Sequence, residues 1–189
     1  VVNAYNNEPR GQIRYRVENV DDNGTTVSIQ DDRRGATVTT TELYTAEGNG
    51  LRQAIINRNQ PVDYEFSPAL PAYEFPLAPD KSWSGRVSAV NSANGTRRSV
   101  RVDAKVIGSE RLRVPAGEFD TVKIQRTYYA GDADRELRET TIAETEWYAP
   151  SLGRSVRLAR NSAYVNLSYA WGARLVRGDW EIYEDRKST

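Results

Sequence analysis

The chain has 189 residues and not one cysteine, histidine or methionine. Without cysteine there is no disulfide framework, no thiolate nucleophile and no cysteine metal site. Without histidine the commonest general base and every Ser-His-Asp or Cys-His constellation are gone. The same two absences predict no tightly bound zinc, copper or iron, which need those ligands, and no cofactor is expected. Chemistry here would fall to carboxylates, Tyr, Lys, Ser or Thr. Net charge is also missing: Lys+Arg and Asp+Glu both number 26. A nucleic-acid binder carries a basic excess, so nucleic acid is not an expected partner. No run of ~18 apolar residues exists, so no membrane span is expected. Lysine occurs only at Lys81, Lys105, Lys123 and Lys187. The arginine-rich remainder reads as a GC-rich bacterial coding sequence with a charge-balanced surface. The chain opens on Val1, for which a processed export signal or a trimmed start would account.

Period-two alternation is what the sequence does have. Ile13, Tyr15 and Val17 oppose Arg14 and Arg16, and Val27 and Ile29 continue the pattern. Val62, Tyr64 and Phe66 oppose Asp63 and Glu65. Val100, Val102, Ala104 and Val106 oppose Ser99, Arg101, Asp103 and Lys105. Half-buried antiparallel strands alternate in this way. Asn23-Gly24 and Asn94-Gly95 predict type I′ hairpin turns. Gly131 marks a looser hairpin, and Gly172 and Gly178 punctuate the last strands. Leu51–Arg58 fits a short helix or a strand. Pro68, Pro71, Pro76 and Pro79 predict a crossover over 67–80 without regular structure. Both ends, before Pro9 and after Asp185, read as frayed. The expectation is one all-β domain over 1–189. Its single, highly curved antiparallel sheet forms a barrel or half barrel with at most two short helices.

Two segments carry a resemblance. Val114-Pro115-Ala116-Gly117-Glu118-Phe119-Asp120-Thr121-Val122-Lys123 resembles the VPAG-x-[FY]-[DE]-x-x-[KR] element of bacterial exported proteins of the domain-of-unknown-function 3108 type. Trp147-Tyr148-Ala149-Pro150-Ser151-Leu152-Gly153 resembles their W[YF]-[AS]-P-x-[VLI]-G element, with Ser155 where the family has Val and Val156 one place later. Pro76-Leu77 through Trp83 is similar to a third, with Lys81-Ser82 replacing its Gly. The resemblance covers about Pro76–Val156. It implies a periplasmic or outer-membrane-associated protein with a lipoprotein-carrier or lipocalin-like half barrel, and it implies no reaction. Independently of any family, Pro115 ends ladder pairing and Gly117 permits positive φ, so that Phe119 folds back onto the sheet.

Several constellations compete with plainer readings. Glu144 and Glu146 share a strand face and could form an acid–base pair, or a solvent face matched to basic neighbours. Arg101, Arg111 and Arg113 form a candidate anion site, or pair across strands with Asp103, Glu110 and Glu118. The aspartates before Gly24 and around Gly131 fit thin calcium loops, or hairpin chemistry. The late aromatics Tyr128, Tyr129, Trp147, Tyr148, Tyr164, Tyr169, Trp171, Trp180 and Tyr183 would line a cavity, with Trp147, Tyr148, Tyr169, Trp171 and Trp180 as candidate ligand-binding residues, or are ordinary core and rim. The functional expectation is a non-enzymatic envelope protein that binds an apolar or lipid-like ligand or an envelope partner. The alternatives are a carboxylate-based glycan hydrolase and a structural partner in a secreted assembly. The concave face discriminates among them.

Overall fold

The alternating segments pair into one antiparallel sheet in a computed structural model, which describes residues 1–33, 35–54, 63–130, 137–166, 172–178 and 180–186. The strands are β1 (Val2–Asn3), β2 (Ile13–Asp21), β3 (Gly24–Asp31), β4 (Val38–Tyr44), β5 (Gly50–Gln53), β6 (Tyr64–Leu70), β7 (Ser82–Asn91), β8 (Arg97–Val114), β9 (Gly117–Ala130), β10 (Leu137–Ala149), β11 (Arg154–Asn166), β12 (Arg174–Arg177) and β13 (Glu181–Glu184). There is no helix among the described residues. Leu51–Gln53 lie in β5, while residues 55–58 and Gly131 fall outside the described residues.

The ladder runs β1-β13-β11-β10-β9-β8-β7-β6-β5-β4-β3-β2, with β12 added beside β13 on β11. The two margins, β1 and β2, are consecutive in the chain, so residues 4–12 must bridge them. Extended chain spans at most ~3.6 Å per residue, and the sheet therefore has to curl. No ladder joins β2 to the opposite margin. The first residues are not frayed as expected. Val2 and Asn3 pair with Ile182 and Glu181, and the Val1 ammonium donates to the Gly11 carbonyl. Backbone hydrogen bonds to β13 supply the order that the sequence pattern there does not show.

Three other expectations change. Neither Asn-Gly pair forms a type I′ turn, since neither Asn23 nor Asn94 takes a positive φ. Side-chain oxygens shape both turns instead: Asp21 accepts from the Asn23 N–H, and Asn94 from the Thr96 N–H. Prolines do not exclude strand over 67–80, because β6 continues through Pro68 to Leu70. Nor is the segment a crossover, since β6 and β7 are hydrogen-bonded neighbours. Residues 71–81 instead fold back over the concave face. There the Trp83 indole donates to the Pro71 carbonyl at 3.0 Å and the Tyr73 N–H donates to Asn49 Oδ1 at 2.8 Å. The long last strand is broken at Gly178, whose N–H donates to Ser162 O at 2.7 Å. A Cβ there would meet Ser162 Oγ at 2.1 Å, so a larger residue would have to turn the Ser162 hydroxyl aside.

The core has two sides. On the concave face Tyr64, Phe66, Leu70, Val102 and Ile142 belong to one buried cluster, and Trp83, Val106 and Ile124 belong to a second. A register shift between Val106 and Gly108 turns the far half of β8 over. Leu112 and Val114 consequently face the convex side, where they pack with Trp147, Ala149, Val156 and Phe119. Pro115-Ala116 form the hairpin turn between Val114 and Gly117, and Gly117 takes a φ of 149°. Phe119 folds back beyond the bend as expected, but it is half-buried against this cluster rather than part of its buried core. Trp147 is the largest buried residue of this outer cluster. Its ring lies under Lys123 and Arg157, at 4.9 and 5.0 Å. Trp147→Ala is expected to cost about 3–5 kcal/mol of unfolding free energy, the usual range for a deleted buried aromatic. Chemical denaturation measures this, and a loss under about 1 kcal/mol would show that the outer cluster does not hold the hairpin.

Candidate functional site

Curling leaves a cavity of about 740 Å³ between β2–β4 on one side and β10–β13 on the other. Its composition follows from register. Arg126, Glu144, Arg160 and Glu181 are successive cross-strand partners on β9, β10, β11 and β13. They form one row of alternating charge across the concave face. Arg126 is 6% exposed, Glu144 8% and Glu146 2%. Arg126 Nε lies 3.4 Å from Glu144 Oε2, and Arg160 Nε lies 3.2 Å from Glu144 Oε1. The other Arg126 nitrogens reach Glu146 and, at 2.9 Å, the Ala72 carbonyl. Tyr73 completes the cluster by donating its hydroxyl to Glu146 Oε1 at 2.6 Å. Burial opposes the charge on Arg126, but Glu146 and its neighbours outweigh that and hold it firmly protonated.

A second cluster ties the margins together. Arg33, just beyond β3, donates to both Asp31 oxygens, to Glu181 and, at 2.8 Å, to the Tyr183 hydroxyl. Burial works against the Arg33 charge, and the Asp31 hydrogen bonds with Tyr183 and Glu181 overcome it. The charge row thus continues from β13 to the opposite edge of the sheet.

Glu42 on β4 differs from the other wall carboxylates. Its partners are the Tyr44 hydroxyl and the Ala54 backbone N–H, and no arginine pairs with it among the described residues. Burial raises its pKa against the lowering pull of these hydrogen bonds and of Arg160. Tyr15 is enclosed by protein though much of its surface opens to the cavity, and burial pushes its hydroxyl up to about 12. Ile13, Ile29, Val38, Leu158 and Val176 supply apolar wall.

Of the late aromatics singled out from sequence, Tyr128, Tyr164 and Tyr183 line this wall, and Trp147, Tyr148 and Trp180 do not. Trp147 points to the convex side, donating its indole N–H to Glu110. Tyr148 packs on Tyr73 and Phe75, with centroids 5.4 and 6.0 Å apart, beneath the segment 71–81. Trp180 meets Tyr5 edge-on at 5.2 Å and stays 38% exposed. Tyr169 and Trp171 lie outside the described residues. Aromatic density in the late sequence was only a partial guide because adjacent strand residues face opposite ways. The wall aromatics are Tyr15, Tyr44, Tyr73, Tyr128, Tyr164 and Tyr183, drawn from both halves of the chain.

Arg101 does not come together with Arg111 and Arg113 in one anion site. Arg101 pairs with Asp103 at 3.2 Å and stacks over Tyr129 at 4.0 Å, and Arg111 pairs with Glu118 at 3.2 Å. Ten residue steps of strand separate Arg101 from Arg111, at ~3.3 Å each, and hold them far apart. Glu144 and Glu146 do share a face and do meet basic neighbours, but the face is the concave one, not solvent. Among the described residues no group of three or more acidic side chains could hold a metal. Asp132 and Asp134 lie outside them.

Fold and site together define a class: an open, single-sheet β half barrel around a mixed polar and apolar cavity. No family model, curated protein or solved structure matches the chain.

Two predictions follow from the charges. Arg126→Met strands two buried carboxylates and is expected to cost about 3–5 kcal/mol. Denaturation of this variant and of the Arg126→Met/Glu146→Gln double variant, which should recover part of the loss, tests it. Glu42 has the opposite sign. Its folded pKa is raised, so its contribution is complete below the unfolded carboxyl pKa and is lost as pH rises through the folded one. Glu42→Gln should therefore raise the denaturation midpoint relative to the parent at neutral pH, with the gain shrinking toward pH 4. A variant less stable at every pH would show that the charge is not buried at a cost.

Proposed function

We propose that this protein is a non-enzymatic binding protein of the bacterial cell envelope, and that its cavity takes a small amphipathic ligand. The cavity carries the reading. At about 740 Å³ it falls in the range of small-molecule sites, with apolar wall beside a few fixed polar groups. The envelope assignment rests on the resemblance of residues 114–123 and 147–153 to exported bacterial proteins.

Glycan hydrolysis is less well supported. It asks for two carboxylates facing each other across a cleft, one of them held protonated. Glu144 and Glu146 sit two apart on one strand, each against an arginine. A purely structural role asks for a filled interior, and the concave face is not filled.

The neutral apolar dye N-phenyl-1-naphthylamine provides the test. It should bind at micromolar concentration with a rise in fluorescence. Leu158→Trp, which places a large ring in the cavity, should abolish binding while the circular dichroism spectrum stays unchanged. Trp180→Ala, outside the cavity, should leave binding intact. No binding by the parent protein, or equal binding by Leu158→Trp, would refute the assignment.

A further inference from the structure

We propose that the cavity recognises an organic ammonium group carried on an apolar body, and that Glu42 is the carboxylate that meets the cation. The proposal rests on the binding reading above and names the chemical class of the ligand.

Charge balance gives the first reason. Among the described residues the wall holds Glu42, Glu144 and Glu146 with two guanidinium groups, Arg126 and Arg160, while Asp31 and Glu181 share Arg33. Arg126 and Arg160 are committed to Glu144 and Glu146. Among the described residues Glu42 has only a phenol and an amide as donors, which cannot neutralise it. A buried carboxylate without a counter-charge is costly, and a ligand cation removes that cost. Burial disfavours the ionised form of Glu42, which is the condition a bound cation reverses.

The aromatic surroundings are an independent second reason. Tyr44 lies two residues along on the same face of β4, and Tyr15 stands two strands away on β2, close enough for its titration to respond to Glu42. Both border the cavity, as do Tyr73 and Tyr128. Tyrosine faces attract cations, and quaternary ammonium groups in particular. A carboxylate among tyrosines, in a wall that also carries the apolar Ile29 and Val38, suits a cationic head on a hydrocarbon body. Of the other wall cations among the described residues, Arg33 is held by Asp31 and Glu181, and Arg177 on β12 is exposed. It would meet an anionic ligand only at the rim.

Titration calorimetry with decyltrimethylammonium and decanoate at neutral pH decides the matter. The ammonium should bind about tenfold more tightly, the order expected of one desolvated cation–π and ion-pair site. Glu42→Gln should bring the two affinities together. A preference for decanoate would overturn the proposal in favour of Arg177, and equal affinities would overturn it outright. A preference that survives Glu42→Gln would remove Glu42 from the site. Binding of N-phenyl-1-naphthylamine without any ammonium preference would sink this inference alone. Binding of no probe at all would sink the binding reading with it.

Discussion

A single row of charge organises the concave face. Arg126, Glu144, Arg160 and Glu181 face one another across four neighbouring strands, and Arg33 and Asp31 carry the sequence of charges over to the opposite margin. Taking such groups out of water costs several kcal/mol per ion, and only close pairing and hydrogen bonding repay it. Each member therefore constrains the next. Arg126 cannot be buried without Glu144 and Glu146, and Glu146 also draws the Tyr73 hydroxyl inward, which pins the segment 71–81. The sheet stays curled because the row has to be completed by residues from both of its ends.

The cavity is a consequence of the same constraint. Guanidinium and carboxylate groups need partners at hydrogen-bonding distance, so the row does not interdigitate with the facing strands as leucines would. Where the concave face is apolar, around Val102, Ile124 and Trp83, it packs solid. Opposite β2–β4, where it is charged, it leaves space. The convex cluster around Trp147 balances this arrangement, since the register shift near Gly108 lets the far hairpin bury its apolar residues on the other side. Rigidity outside and space inside divide between the two faces of one sheet.

The strands were legible because alternation is local. Val100 to Val106 announces its own burial, and Pro115 and Gly117 announce the hairpin they make. The pairing of distant strands was not legible. Glu144 shows its face from its neighbours, but that Arg160 and Arg126 stand beside it depends on register across three strands. Half of the wall tyrosines were missed for the same reason: Tyr15, Tyr44 and Tyr73 are scattered in sequence and meet only through curvature. Pro68 inside β6, and the ordered first residues on β13, reflect backbone hydrogen bonds that no side-chain pattern records.

The central claim is that the space enclosed by the concave face is the binding site. The most direct measurement is the anomalous signal of a bromine-tagged apolar probe in crystals of the protein. The account predicts bromine within the space bounded by Glu42, Tyr128 and Leu158. Bromine found only on the convex side, around Trp147 or at the Tyr5–Trp180 pair, would contradict it.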